Sequence, residues 1–205
     1  HGTRCSYHSK ISHYRGRTDK MRLLIASDIH GDGKCCEAML SSAEKENVDK
    51  ILILGDILYH GPRNPLPENY NPKQVITLLN SNKDSLICVR GNCDAEVDAM
   101  VLEFPILSVY SQVYDGDCNL NLFMSHGHIY NPDTLPPLTG NTVFLYGHTH
   151  VFKKEIRGKT VCVNPGSVSL PKENNPKTYM IYDSGEFKVK DFDSNVLMKF
   201  NVSDR

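Results

Sequence analysis

The chain has 205 residues, of which 40% are hydrophobic and 23% are charged, and its formal net charge is −1. This length and composition suit one large domain with a substantial core. A charge so close to zero creates no overall field that would attract nucleic acid or an anionic membrane surface, so we expect neither as a partner. Because no run of about 18 apolar residues occurs, we also expect no membrane-spanning helix.

The seven cysteines do not form the pattern of a disulfide framework. Their number is odd, no two are spaced as Cys-x-x-Cys, and the adjacent Cys35 and Cys36 fall within a helical pattern. Unpaired thiols are typical of a reducing compartment, so the composition predicts a cytoplasmic protein.

The first twenty residues differ in composition from the rest. Residues 1–20 are polar and rich in Ser, His, Arg and Tyr, without the apolar segment of a secretory signal. Met21 then directly precedes a strand pattern. We interpret residues 1–20 as a tag or a disordered extension, with a natural extension trimmed at its start as the alternative. The expected domain comprises residues 21–205.

Three aliphatic runs in the first hundred residues predict strands that are buried on both faces. They cover residues 22–27, 51–54 and 86–89. Such runs are typical of parallel sheets covered by helices. Because helical patterns fill the intervals, the order βαβαβ predicts parallel strands joined by right-handed crossovers.

Capping residues predict where three helices begin, at Asp32, Asn71 and Asp94. Pro72 supports the second helix, since proline is favoured in a first helical turn. The apolar residues expected on the buried faces are Cys36, Met39, Leu40 and Ala43 in the first helix, Val75, Leu78 and Leu79 in the second, and Val97, Met100 and Val101 in the third.

The second half of the chain is rich in short strand patterns. They cover residues 109–113, 119–125, 142–146, 151–156, 160–163, 178–183, 186–192 and 196–202. Asp115-Gly116 and Ser184-Gly185 indicate two hairpin turns. With no internal repeat and no linker, the sequence predicts one α/β domain with two packed sheets, the second half being antiparallel or mixed.

Potential metal ligands follow the predicted strand ends. They are Asp28, His30, Asp56, Asn92, His126, His148 and His150. Ligands bind at the carboxyl ends of parallel strands, and residues i and i+2 of an extended segment point the same way. Taken singly, each residue could be a helix cap or a surface side chain. Their joint recurrence at strand ends predicts a metal site.

The same residues carry a resemblance to the calcineurin-like metallophosphoesterases. The motifs are Asp28-x-His30, Gly55-Asp56, Gly91-Asn92, His126-Gly127 and Gly147-His148-Thr149-His150. The closer resemblance is to the small bacterial YfcE-type phosphodiesterases. It rests on residues 26–31, 55–64, 90–94 and 164–167, and it extends from about Met21 to the end of the chain.

The resemblance implies a four-layer αββα sandwich of two mixed β-sheets flanked by helices, with two metal ions at the strand ends. Matched by position, one ion would be held by Asp28, His30 and His150, the other by Asn92, His126 and His148, and Asp56 would bridge them. The implied catalytic residues are Asp56, Asn92 and His126, with His128 as a further candidate.

The ligand types narrow the choice of cofactor and mechanism. Oxygen and imidazole ligands suit Mn²⁺, which we expect, or Zn²⁺, Fe²⁺, Ni²⁺ or Co²⁺. Two divalent ions, two aspartates and a bridging hydroxide leave a net charge of about +1, which attracts a monoanionic phosphodiester. The expected reaction is attack of that hydroxide on the phosphorus of a small-molecule phosphodiester.

Cys93 departs from the wider family, where Gly-Asn is usually followed by a histidine that helps the leaving group depart. The YfcE-type group shares this cysteine. We therefore expect leaving groups that need no protonation, such as activated aryl esters or phosphoanhydrides. His60, Arg63 and Asn64, in the proline-rich loop after Asp56, are candidate substrate contacts beside Cys93, with a purely structural loop as the alternative.

Three other functions compete with the phosphodiesterase. A non-catalytic scaffold of the same fold, such as the related retromer subunit, would lack some ligands. A nuclease would need a basic groove, which a near-neutral charge does not suggest. A phosphomonoesterase would bind a dianion, for which the sequence offers few additional cations. Self-association through an edge of the β-rich half is also left open.

Overall fold

A computed structural model describes residues 20–203, so the predicted tag or extension at 1–20 lies almost wholly outside the described residues. The first half follows the predicted alternation of strands and helices. Its elements are β1 (Arg22–Ala26), α1 (Gly33–Glu46), β2 (Lys50–Ile53), α2 (Pro72–Asn80) and β3 (Leu86–Cys88), with 3₁₀ turns at Lys83–Ser85 and Asp98–Met100.

The second half consists of strands and their connections. The strands are β4 (Tyr110–Asp115), β5 (Leu120–Ser125), β6 (Thr142–Leu145), β7 (Phe152–Arg157), β8 (Thr160–Pro165), β9 (Thr178–Asp183), β10 (Glu186–Asp191) and β11 (Val196–Asn201). Each predicted strand of this half is present, and both predicted hairpins, β4–β5 and β9–β10, pair in antiparallel fashion.

The strands form two mixed sheets. The first has the order β11-β10-β9-β1-β2-β3, and the second has the order β4-β5-β6-β8-β7. In the first sheet β1, β2 and β3 run parallel, as predicted, and β9 joins β1 in antiparallel fashion. In the second sheet β5, β6 and β8 run parallel. The carboxyl ends of these parallel strands carry the candidate ligands.

Alternation along β1 shows how the layers pack. Leu23 and Ile25 face the second sheet and belong to the core between the two sheets, which also contains Leu122 and Val143. Leu24 and Ala26 face the opposite way, into the core that the first sheet shares with α1 and α2. Both faces of β1 are thus buried, which explains its unbroken aliphatic sequence.

The outer face of the second sheet is covered by irregular chain. Phe123, Phe144, Tyr146 and Cys162 on this face pack against Tyr130, Leu135 and Leu138 from the connection between β5 and β6. The resemblance predicted helices here, and in this connection the structure has none. Pro132, Pro136 and Pro137 interrupt the segment, and prolines within a helix remove backbone donors. The two mixed sheets and the helices on the first sheet agree with the predicted fold.

Two of the three predicted helix caps are confirmed. The side chain of Asp32 accepts a hydrogen bond from the backbone of Cys35, and that of Asn71 accepts one from Gln74. The third helix was predicted wrongly: a single 3₁₀ turn replaces it, and Val97 and Met100 are 62% and 81% exposed. The carboxylate of Asp94 makes other hydrogen bonds, described below. None of the helices in residues 20–203 is both long and apolar enough to cross a membrane.

Candidate metal centre

The seven predicted ligands follow the carboxyl ends of five strands, β1, β2, β3, β5 and β6. Asp28 and His30 follow β1, Asp56 follows β2, Asn92 follows β3, His126 follows β5, and His148 and His150 follow β6. Because β1–β3 belong to one sheet and β5 and β6 to the other, the site lies at the edge where the two sheets meet.

The backbone at most of these ligands is left-handed. The φ angles are 59° at Asp28, 49° at His30, 55° at Asp56, 68° at His148 and 62° at His150. The prediction that Asp28–His30 and His148–His150 are extended is therefore wrong, although Asp28 and His30 do converge. Non-glycine residues with positive φ cost about 1–3 kcal/mol each and occur mainly where the surrounding structure holds them for function.

Hydrogen bonds from the neighbouring strand end hold this strained backbone. The backbone N–H of Asp28 donates to the carbonyl of Gly55 at 3.1 Å, and that of His30 donates to the carbonyl of Asp56 at 2.9 Å. The loops after β1 and β2 thus fix each other. The i, i+2 convergence of Asp28 and His30 comes from this pairing and not from strand alternation.

One group of ligand atoms comprises Asp28, His30 and His150. Asp28 Oδ1 lies 3.5 Å from His30 Nε2 and 3.3 Å from His150 Nε2, and the two Nε2 atoms are 3.3 Å apart. All three side chains are buried, and Asp28 Oδ1 has no hydrogen-bond partner. A buried carboxylate oxygen facing two imidazole nitrogens fits a divalent cation.

A second group surrounds His126. Its Nε2 lies 3.3 Å from Asp56 Oδ2 and 3.0 Å from Asn92 Oδ1. The ring of His148 lies beside it, with the two centroids 5.1 Å apart. Asp56 Oδ2 is also 3.6 Å from Nε2 of His30, so this carboxylate lies between the two groups. A third set that could hold a cation joins His30, Asp56 and Cys93.

Backbone carbonyls orient three of the histidine rings. Nδ1 of His30 donates to the carbonyl of Tyr59 at 2.8 Å, that of His126 to Leu54 at 2.7 Å, and that of His150 to Leu170 at 2.6 Å. When such a ring is neutral, its proton is on Nδ1, and Nε2 keeps its lone pair and faces inward. This hydrogen bond to the second ring nitrogen is the usual way in which proteins orient a histidine that binds a metal.

The aspartates at the centre are ionised at neutral pH. Burial alone would raise the pKa of Asp28, but the adjacent imidazoles of His30, His126 and His150 lower it overall. The pKa of Asp56 is likewise lowered, because the hydrogen bond and charge of His126 outweigh burial. Burial would lower the pKa of His126, but its hydrogen bond to Asp56 and the charges of Asp28 and Asp56 raise it to about 9. Two buried anions thus face the histidine nitrogens.

Asp94 positions the loop that carries Asp56. Its Oδ2 accepts hydrogen bonds from the backbone of Asp56 at 2.9 Å and of Gly91 at 2.7 Å, and its Oδ1 accepts one from Ile57 at 2.8 Å. Asp56 Oδ1 in turn accepts from the backbone of Cys93 at 2.7 Å, which leaves Oδ2 facing the histidines. Asp94 therefore ties the loops after β2 and β3 together.

The close approach of Gly91 to Asp56 explains why position 91 carries a glycine. A Cβ on Gly91 would lie 2.0 Å from Asp56 Oδ1 and 2.4 Å from its backbone nitrogen. Asn164, in the matched segment 164–167, donates to the carbonyl of Gly147 at 2.8 Å and to Thr149 Oγ1 at 3.1 Å. It contacts both neighbours of His148 in the chain, through the backbone of Gly147 and the side chain of Thr149.

A cleft of about 900 Å³ opens beside the centre. Arg63, Asn64 and Cys93, three of the predicted substrate contacts, line it. His60 does not line the cleft and packs edge-on against the rings of Tyr59 and Tyr70. His128 also lies off the cleft lining, with its ring centroid 5.3 Å from that of His126.

Sequence reasoning missed two cations that line this cleft. They are Arg90, just before Gly91, and Lys172, in the loop after β8. The Gly91-Asn92 motif that follows Arg90 was the signal available for it, while Lys172 has no motif around it.

Half-burial and the charge of Asp56 raise the pKa of the Cys93 thiol to about 12. Burial and the charges of His126 and His148 lower the pKa of His128 to about 4.

The profile of the calcineurin-like phosphoesterase superfamily domain matches residues 21–186. The chain belongs to this superfamily. Enzymes of this superfamily use divalent metal ions, and within residues 20–203 three groups of side chains could hold one. The family that the strand-end motifs predicted is thus confirmed.

Individual members of the superfamily show how far the similarity reaches. Phosphodiesterase YfcE of Escherichia coli K12 is 46% identical over 169 residues, covering 82% of this chain and 91% of YfcE. The solved structure of YfcE from E. coli, described as a phosphoesterase, superposes with a TM-score of 0.85 at 43% identity, covering 89% and 100% of the two chains. These similarities confirm the predicted fold and are consistent with a metal-dependent phosphoric diester hydrolase.

A more distant solved structure shares the fold alone. Vps29 from Chaetomium thermophilum superposes with a TM-score of 0.57 at 16% identity, covering 88% of this chain and 97% of Vps29. The same sandwich therefore occurs at low sequence identity, and function within the superfamily has to be argued from the site.

Proposed function

We propose that this chain is a dimetal-dependent phosphodiesterase that hydrolyses a small-molecule phosphodiester. The observation that carries the proposal is the position of Asp56. Its Oδ2 lies 3.6 Å from His30 Nε2 and 3.3 Å from His126 Nε2, so one carboxylate reaches both groups of ligand atoms. The name of its relative, phosphodiesterase YfcE, supports the same reaction type.

The proposed ligands divide into two sets that share Asp56. Asp28, His30 and His150 would hold one ion, and Asn92, His126 and His148 would hold the other. The buried Oδ1 of Asp28, which lacks a hydrogen-bond partner, supports the first set. The contact of His126 Nε2 with Asn92 Oδ1 at 3.0 Å supports the second. Hard and borderline ligands favour Mn²⁺, with Zn²⁺, Fe²⁺, Ni²⁺ and Co²⁺ as alternatives.

When bound, two divalent ions would supply a water of lowered pKa and positive charge for the phosphate oxygens. The chain supplies the geometry and the charge balance. Asp28 and Asp56 bring two negative charges against four positive ones, which leaves net attraction for a phosphodiester monoanion. His128 lies beside His126 and His148 but off the cleft lining, and its lowered pKa leaves its ring neutral at pH 7, so its proposed role at the centre is hydrogen bonding and not proton donation.

The test compares a phosphodiester with a phosphomonoester. Protein stripped with EDTA is assayed with bis(p-nitrophenyl) phosphate and with p-nitrophenyl phosphate, with and without each divalent ion. We expect metal-dependent turnover that is faster for the diester. Faster turnover of the monoester would favour a phosphomonoesterase, and no turnover of either would favour a non-catalytic scaffold of the same fold. The scaffold interpretation is disfavoured because all seven ligand positions carry a competent side chain.

Two variants separate metal binding from catalysis. Asp56→Asn should lose bound metal and turnover together, because an amide cannot supply the shared negative charge. His128→Ala, the matched control at the same centre, should retain the metal and lose only part of the turnover. Metal content is measured by elemental analysis of each purified variant. An Asp56→Asn protein with both ions and full turnover would show that Asp56 does not bridge them.

A further inference from the structure

Three cations from separate loops line the cleft beside the metal centre. Arg63 lies in the proline-rich loop after β2, Arg90 follows β3, and Lys172 lies in the loop after β8. We call these three residues the cationic rim. The cleft they line, about 900 Å³, is within the 300–1,000 Å³ typical of sites for small organic ligands. It has room for much more than the phosphorus at the metal centre.

The rim faces little compensating negative charge. Asp56 and Asp94 are the acidic residues in the cleft lining, and both are buried with their oxygens engaged at the metal centre or by backbone N–H groups. Within residues 20–203, neither Arg63 nor Lys172 forms an ion pair, and both are exposed. Two cationic side chains therefore remain free to meet an anion in the cleft.

The rim is anchored close to the proposed ligands. The backbone N–H of Lys172 donates to the carbonyl of His150 at 3.2 Å. Arg90 Nε donates to the carbonyl of Asp94 at 3.2 Å, and its guanidinium pairs with the exposed Glu96 at 3.3 Å. An anion bound by the rim would thus lie next to the phosphorus at the metal centre.

We propose that the cationic rim binds a second phosphate, joined through an anhydride bond to the phosphate held at the metal centre. The substrates would then be diesters of diphosphate, with organic groups at both ends. This inference rests on the proposed function and names its substrate class. A simple phosphodiester has one negative charge, which the metal centre neutralises, and leaves the rim without a partner. A diphosphate diester supplies the second charge, and arginine suits bidentate binding of phosphate.

The reaction balances with water as the co-reactant. The oxygen of water forms a bond to the phosphorus at the centre, and the bond from that phosphorus to the bridging oxygen breaks. The bridging oxygen leaves with the electron pair as part of the second phosphate. The protons of water pass to the two products and the solvent, giving two phosphomonoesters. The rim stabilises the charge that develops on the departing phosphate.

The test compares two substrates in the metal-loaded protein. One is bis(p-nitrophenyl) phosphate, and the other is P¹,P²-di(adenosine-5′) diphosphate, whose hydrolysis to AMP is followed by ion-exchange chromatography. The variants are Arg63→Gln and Lys172→Gln, with Lys159→Gln as control. Lys159 is an exposed lysine in the turn between β7 and β8. This turn leads into the N-terminal end of β8, which is the end remote from the metal centre. Arg90 is left intact because it contacts the Asp94 loop.

We expect each rim variant to lower kcat/KM for the diphosphate at least tenfold more than for bis(p-nitrophenyl) phosphate, and the control to change neither. Equal losses on the two substrates, or a wild-type protein that cleaves the single-phosphate diester but not the diphosphate, would overturn the second-phosphate site and leave the proposed function intact. A wild-type protein that cleaves neither substrate would overturn both. Melting curves of the variants confirm that each is folded.

Discussion

The carboxylate of Asp94 accepts a hydrogen bond from the backbone N–H of Asp56 at 2.9 Å, across 38 positions of the chain. It also accepts from Gly91 and Ile57, so two oxygens satisfy three buried donors. Burial raises the pKa of Asp94, while these backbone hydrogen bonds oppose the rise. The geometry of the proposed bridging carboxylate thus depends on a residue that binds no metal itself.

Asp94→Asn should therefore weaken metal binding, although Asp94 is not itself a proposed ligand. The amide nitrogen cannot accept, so at least one buried N–H group loses its partner, at a cost of about 1–3 kcal/mol. We expect lower stability in urea and reduced metal content in the same variant. Asp98→Asn is the control, because Asp98 accepts from Ala95 in the same turn without touching Asp56. Wild-type stability and metal content in Asp94→Asn would show that the positioning role is wrong.

Gly91→Ala tests the close approach of the loop after β3 to Asp56. The added Cβ would lie 2.0 Å from Asp56 Oδ1, which cannot move freely because Cys93 donates to it. A displacement of about 1 Å in such a site costs roughly 100-fold in rate, so we expect a loss of that order in kcat/KM for bis(p-nitrophenyl) phosphate. Gly116→Ala, with its nearest atom at 3.8 Å, is the control. Similar activity in the two variants would contradict the steric argument.

Glu46, which lies outside the metal centre, leads to a prediction about how the stability of the fold depends on pH. Its carboxylate pairs with Lys190 and Arg22, and these two cations lower the pKa of Glu46 although burial alone would raise it. A carboxyl group with a lowered folded-state pKa stabilises the protein above its unfolded pKa, about 4.3, and this contribution is lost as the pH falls through the folded value.

Glu46→Gln should accordingly cost about 1 kcal/mol of unfolding free energy at pH 7. The difference from wild type should shrink as the pH falls below about 4.3. Urea denaturation at several pH values measures both proteins. Glu103→Gln, at the exposed ion pair with Lys83, is the control and should show a smaller effect at pH 7. A constant difference at all pH values would mean that the ion pairs do not stabilise the fold.

The parts of the site that the sequence predicted are those that depend on residue type and on patterns within short segments of the chain. Asp56 follows an aliphatic run that can only be a buried strand, and the carboxyl end of such a strand is where ligands lie. The His148-x-His150 and Asp28-x-His30 spacings likewise place two potential ligands in one short loop. Residue type and strand ends were sufficient to bring these residues together without knowledge of the loop conformation.

The parts that sequence missed depend on contacts between distant segments. The left-handed backbone at Asp28 and His30 is held by hydrogen bonds to Gly55 and Asp56, which no periodicity shows. Asp94 looked like a helix cap because its true partners lie on another loop. Lys172 lines the cleft only because the loop after β8 packs beside His150.

Cys93 occupies the position after Asn92 at which the resemblance to the wider family predicted a histidine. It lines the cleft, and its Sγ lies 3.2 Å from Asn92 Nδ2, yet a neutral thiol brings no positive charge to a leaving group. Cys93→His should raise the rate most for poor leaving groups, by about tenfold or more, since a well-positioned general acid typically contributes 10²–10⁴-fold. The measurement is kcat/KM for aryl phosphodiesters of graded leaving-group pKa. The dependence of rate on that pKa should be shallower in Cys93→His than in wild type, and Cys93→Ser, the control, should keep the wild-type slope. Equal slopes in all three proteins would show that the residue at this position does not assist the leaving group.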